Sequence, residues 1–191
     1  MNKIFYSLLF FAFLLACQHD EVNTYSIKGF IGYHNYVFPD EIENSTVKLL
    51  EGDQLIATSG IVNGNFLFEN VREGRNYTVL PESLDGDRTG VSALDLVMVE
   101  HYINGTGTLS AFQKISADMN KDNVIDQTDL DLIRNCILGN QCSTWRFVTE
   151  DYDGNGNGKV DQYPITNLMS DQEVNFIPVR PGDVSCTTCP Q

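Results

Sequence analysis

The sequence predicts an α+β, multidomain chain: a small antiparallel β-sandwich, then a two-helix module, then an irregular C-terminal extension. Three observations predict it. Short runs of alternating apolar and polar residues recur about every ten positions between 24 and 84, with no helical period between them. From 85 to 142, oxygen-rich loops are each followed by one stretch of helical periodicity. From 143 onward Gly, Asn, Asp and Pro interrupt every pattern.

The 191 residues open on a segment that belongs to none of these elements. Lys3 supplies a charged start, and Ile4 to Ala16 form an apolar run broken only by Ser7. The run is too short to span a bilayer as a helix and has the length of an export signal's apolar region. It ends in Leu14-Leu15-Ala16-Cys17, which resembles a bacterial lipobox. That resemblance implies removal of residues 1–16, acylation of Cys17, and a membrane partner through the lipid. The acidic tether that follows (17–23), with Gln18-His19-Asp20-Glu21, resembles the export signal of Bacteroidetes surface lipoproteins. The expected location is therefore the outer face of the outer membrane.

Five cysteines are present, so setting Cys17 aside leaves four, an even number suited to an oxidising compartment. Three pairings can be drawn, and local bridges, Cys136–Cys142 and Cys186–Cys189, are expected. The second pair forms a CxxC next to Pro190, without the strand-to-helix setting of a redox motif.

In the 24–84 segment, Tyr25, Ile27 and Gly29 alternate with Ser26, Lys28 and Phe30, and Val47 and Leu49 alternate with Lys48 and Leu50. Asn63-Gly64-Asn65 signals a turn into Phe66 and Phe68, and Tyr77-Thr78-Val79-Leu80 forms a last strand. Ile27-Lys28-Gly29-Phe30, Gly64-Asn65-Phe66-Leu67-Phe68 and Tyr77-Thr78-Val79 resemble the carboxypeptidase-regulatory-like (prealbumin-like) domain. Relatives of that kind act as spacers, and a few bind carbohydrate, for which Tyr33, His34 and Tyr36 would form a stacking platform.

The strongest chemical pattern is Asp118 to Asp129. Oxygen side chains stand at loop positions 1, 3, 5, 9 and 12, and an apolar residue, Ile125, at position 8. A hard cation taking six to eight oxygens needs such a twelve-residue wrap. The expected ligands for Ca2+ are the side chains of Asp118, Asn120 and Asp122, the carbonyl of Val124, Asp126 directly or through water, and Asp129 as the closing carboxylate. Asn123 stands where glycine is usual and is the next best residue at positive φ. A helix with Leu130, Ile133 and Ile137 on one face follows and ends at Gly139-Asn140. No entering helix is read before Asp118.

Val91-Ser92-Ala93-Leu94-Asp95 parallels Ile125-Asp126-Gln127-Thr128-Asp129, its Asp95 standing 34 residues before Asp129. Two loop-plus-helix units, Val91 to Val97, Trp145-Arg146-Phe147-Val148 and the closing Phe176 to Val184 together resemble a type I dockerin of the kind found in Bacteroidetes surface proteins. The resemblance implies a calcium-dependent module for binding a protein partner, cohesin-like or another surface protein. The first repeat is degenerate: Leu84, Gly86 and Arg88 occupy positions 1, 3 and 5, leaving Asp95, with Asp85 or Asp87, as ligands. Ala93-Leu94 and Gln127-Thr128 also depart from the Ser/Thr pairs with which the family contacts cohesin.

A second candidate metal set is Asp153, Asn155, Asn157 and Asp161, with Gly158 at position 6. Pro164 falls at position 12 and supplies no carboxylate, and the composition also suits a surface turn.

Net charge is -14, from 26 acidic and 12 basic residues, which disfavours nucleic acid as a partner. No GxSxG, HExxH, P-loop or Rossmann glycine pattern occurs, and His19, His34 and His101 lie in separate segments. The sequence therefore reads as a non-catalytic, calcium-binding surface lipoprotein whose dockerin-like module binds a protein partner, in a complex handling polysaccharide. The alternative is a glycan-binding accessory protein acting through the sandwich.

Overall fold

A computed structural model describes residues 22–32, 45–83, 86 and 88–185. Cys17, Tyr33, His34, Tyr36, Leu84, Asp85, Asp87, Cys186 and Cys189 lie outside the described residues. The N-terminal half carries β1 (Thr24–Phe30), β2 (Ser45–Glu51), β3 (Gln54–Gly60), β4 (Asn65–Arg72) and β5 (Tyr77–Ser83). They pair antiparallel, β1 with β4, β2 with β3 and β2 with β5. Strict alternation explains their common core: Val47, Leu49, Phe66, Phe68, Tyr77 and Val79 point inward, while Leu67 between the two phenylalanines is 49% exposed. Each such buried side chain stabilises the fold by about 1.5–3 kcal/mol.

The turn into β4 is a two-residue hairpin loop. Asn63 and Gly64 both have positive φ, 49° and 78°, and Val62 pairs with Asn65 across them. A side chain at Gly64 would strike the Phe30 ring, with an added Cβ only 2.5 Å from it.

The helical part has three helices: α1 (Ala93–Ile103), α2 (Ala111–Ala117) and α3 (Gln127–Ile137). The extra one corrects the two-helix reading, since α2 ends directly on Asp118. It forms because Ser110 and Gln113 make a reciprocal capping box, and it is hard to read because seven residues give barely two turns of periodicity. Val99 of α1 and Leu130, Ile133 and Cys136 of α3 share a core with Ala117 and Met119. A Cys136–Cys142 disulfide ties the end of α3 to the following loop.

The segment read as irregular is built into both halves. It supplies β6 (Arg146–Thr149), β7 (Tyr163–Ile165), β8 (Gln172–Glu173) and β9 (Phe176–Val179). β7 extends one sheet to the order β3-β2-β5-β7, and β8 pairs parallel with β1 to give β4-β1-β8. β6 and β9 form an antiparallel ribbon that is buried on both faces. Trp145, Phe147 and Phe176 enter the sandwich core, while Val148, Ile177 and Val179 pack with Ile115 of α2. Strands of two to four residues are too short to show a period-2 pattern, which is why the sequence reads them as irregular.

Candidate calcium centre

The loop between α2 and α3 is curled around its own oxygens. Asp118, at the C-cap of α2, accepts the amides of Asp122 (3.1 Å) and Asn123 (3.2 Å) on its two carboxylate oxygens. Asn120 Oδ1 accepts the Asp122 amide at 3.0 Å, and Asp122 Oδ1 accepts the Val124 amide at 2.8 Å. Asn120 Nδ2 also donates to Asp122 Oδ2 at 2.8 Å. Lys121 and Asn123 adopt φ of 65° and 67°, the left-handed turns that let successive side chains face inward. The sequence-predicted ligands at positions 1, 3 and 5 are thus brought together.

Asp126 and Asp129 serve the start of α3. Asp126 is the N-cap, and its Oδ1 accepts the Thr128 amide at 2.7 Å. Asp129 is fully buried and divides its oxygens among amides: Oδ1 takes Met119 (2.8 Å) and Asn120 (3.2 Å), and Oδ2 takes Asp126 (3.1 Å). Burial pushes its pKa up, against the pull of those amides and with a further push from Asp118. Among the described residues no three His, Cys, Asp or Glu side chains converge as a metal cluster. The side chains facing one another in the loop are two carboxylates and the Asn120 amide, with the Asp129 carboxylate engaged on backbone.

In the first repeat, Asp95 repeats the capping role. Its Oδ2 accepts the Ser92 amide (2.7 Å) and hydroxyl (2.9 Å), while Oδ1 accepts the amide of Ser185 at 2.6 Å. The C-terminal tail therefore stands where the second repeat has its own loop amides. Ser116 and Gln113 of α2 hold that tail in place through Arg180, Gly182 and Val184.

The second candidate set is only partly assembled. Asp153 Oδ1 accepts the amides of Asn155 (2.7 Å) and Asn157 (3.2 Å), and Oδ2 accepts Asn157 Nδ2 at 2.8 Å. The Asn155 amide first, then those of Asn157, hold the Asp153 pKa below its ordinary value. Gly158, at φ 72°, lies so close to Tyr152 that an added Cβ would meet its backbone at 2.4 Å. Asp161 is not brought to this group. Its Oδ2 is held by Arg146 Nε (3.0 Å) and Nη2 (2.9 Å), and its Oδ1 by the Phe147 amide (3.0 Å).

Arg146 is the residue that sequence reasoning missed as a participant. It also reaches Asp118 Oδ2 through Nη1 at 3.0 Å. The available signal was a lone cation between two large aromatic residues, Trp145 and Phe147, within a chain rich in carboxylates.

A cavity of about 350 Å³ opens at the sandwich edge, lined by Phe30, Asn65, Glu150, Glu173, Asn175 and Phe176 among others. No curated protein matches the chain in sequence. Among solved structures, the pilus-presented adhesin Spy0125 (Cpa) is similar at 8% identity and a TM-score of 0.32, over 83% of this chain and 27% of that one. A cysteine-to-alanine mutant of that adhesin gives 8% identity and a TM-score of 0.31, over 83% and 28%. The chain thus spans under a third of either adhesin's length, and scores this low carry no conclusion about fold or function. The helical part does have a family match: residues 84–138, from the degenerate first repeat through α3, match the dockerin type I domain.

Proposed function

We propose that the protein is a non-catalytic lipoprotein, anchored through Cys17 at the outer face of the outer membrane, whose dockerin-like module binds calcium and through it a protein partner. The partner class is cohesin-like or another surface protein, within a complex that handles polysaccharide. The observation that carries the reading is the inward curl of Asp118, Asn120 and Asp122 at loop positions 1, 3 and 5, with Lys121 and Asn123 at positive φ. This donor set is all oxygen and suits a hard divalent cation. Asp118, Asn120 and Asp122 would hold the ion together with the Val124 carbonyl, Asp126 and Asp129. Asp129 would have to exchange amide contacts for metal to close the shell. Calcium would supply charge compensation and a rigid loop, so that α3 is presented in one orientation.

Calorimetric titration of the chain with calcium tests this. The wild type should show one tight site, lost in Asp118→Ala and in Asp129→Ala. Unchanged stoichiometry and affinity in both variants would sink the assignment.

A second reading has its own observation, the polar cavity where Phe30 and Phe176 meet Glu150, Glu173 and Asn175. It would make the sandwich a glycan-binding accessory surface. Glycan binding that survives EDTA would favour it over the first.

A further inference from the structure

We infer that Arg146 is the positioning residue through which calcium binding at the Asp118–Asp129 loop reaches the β-sandwich. The inference rests on the reading of that loop as a calcium site. The Arg146 side chain is 4% exposed and touches both acidic loops at once. Nη1 donates to Asp118 Oδ2 at 3.0 Å and to the Asp118 carbonyl at 3.4 Å. Nη2 and Nε grip Asp161 Oδ2 at 2.9 and 3.0 Å.

Three consequences follow from charge and packing. One guanidinium faces two carboxylates, so the group carries an excess negative charge, and a divalent cation at Asp118 would offset it. The guanidinium and Asp118 are both buried, so separating them costs each a desolvated ionic contact, and a shift of one favours a matching shift of the other. And the backbone on either side of Arg146 belongs to the sandwich, since Trp145 and Phe147 lie in its core. Asp161 is tied to the same strand twice more, by its Oδ1 to the Phe147 amide (3.0 Å) and by its own amide to the Phe147 carbonyl (2.5 Å). Any adjustment of Asp118 on binding a cation is passed by Arg146 to β6 and the 153–161 loop. The same contacts explain why Asp161 does not close that loop: its carboxylate already has a resident cation.

Trp145 is the chain's single tryptophan, with the Arg180 guanidinium stacked 4.6 Å above its ring, and it reports on this region. The experiment follows Trp145 emission and binding heat in parallel as calcium is added to the full chain, for wild type, Arg146→Met and Arg146→Lys. In the wild type, emission should change saturably with the midpoint seen by calorimetry. Arg146→Met should still release heat but lose the emission change, and Arg146→Lys should retain only part, because an ammonium lacks the fork that spans two carboxylates. Heat with a silent tryptophan in wild type, or an unchanged response in Arg146→Met, overturns the inference while leaving the calcium site intact. Absence of heat in wild type overturns both. Should Arg146→Met fail to fold, hydrogen exchange on the wild type decides. Calcium must then slow the Phe147 and Asp161 amides, and protection confined to 118–137 refutes the coupling.

Discussion

Asp95 and Asp129 hold equivalent places, each the third helical residue after an N-cap and each fully buried, yet they are satisfied differently. Asp129 draws amides from its own loop, whereas Asp95 draws one from Ser185, 90 residues away in sequence. Beside Asp95 the tail also places Asp183, whose pKa is raised by burial and by the Asp95 charge, against a smaller opposing pull from Arg180. The sign follows directly. A carboxyl with a higher pKa folded than unfolded binds its proton more tightly in the fold, so it opposes stability once pH rises past the unfolded value. Asp183→Asn removes that penalty. The variant should melt above wild type at neutral pH, and the advantage should vanish near pH 4, about the ordinary carboxylate value. Thermal melts across that range check it, and a gap independent of pH would count against burial and Asp95 as the cause.

At the scale of elements, the Cys136–Cys142 bridge does for the end of α3 what the Asp126 and Asp129 capping box does for its start. Closing so short a loop restrains the unfolded chain by about 2 kcal/mol in the chain-entropy account. Replacing both cysteines by alanine should therefore lower stability by about that amount, somewhat more because Cys136 is buried in the helical core. Urea denaturation in EDTA measures it, and an unmoved midpoint would refute it. This bridge, the β2 and β4 alternations and the loop at Asp118 were all legible in the sequence, because each depends on residues close together along the chain. What was not legible depends on distant partners. β8 is two residues whose strand character comes from pairing with Lys28 and Ile27. Arg146 acquires its role only when β6 is laid beside Asp118 and Asp161. The left-handed Asn123, by contrast, was expected from residue type alone, and its φ of 67° agrees.

For the whole molecule, the β6–β9 ribbon sets how the two halves depend on each other. A strand buried on both faces is a shared wall: Phe147 fills one core and Val148, next to it, fills another. If the halves were independent, truncating Phe147 would weaken only the sandwich and truncating Val148 only the helical part. A shared wall gives a different result, because losing either face loosens the ribbon that both cores need. Phe147→Ala should cost about 3–5 kcal/mol. Both Phe147→Ala and Val148→Ala should shift the helical circular dichroism signal and the Trp145 emission to the same extent. Coincident denaturation curves for the two probes, in wild type and in both variants, are the expected outcome. Separate transitions, with Phe147→Ala moving only the tryptophan and Val148→Ala only the helical signal, would show two units that fold apart. The influence of the Asp118–Asp129 loop would then stop at α3.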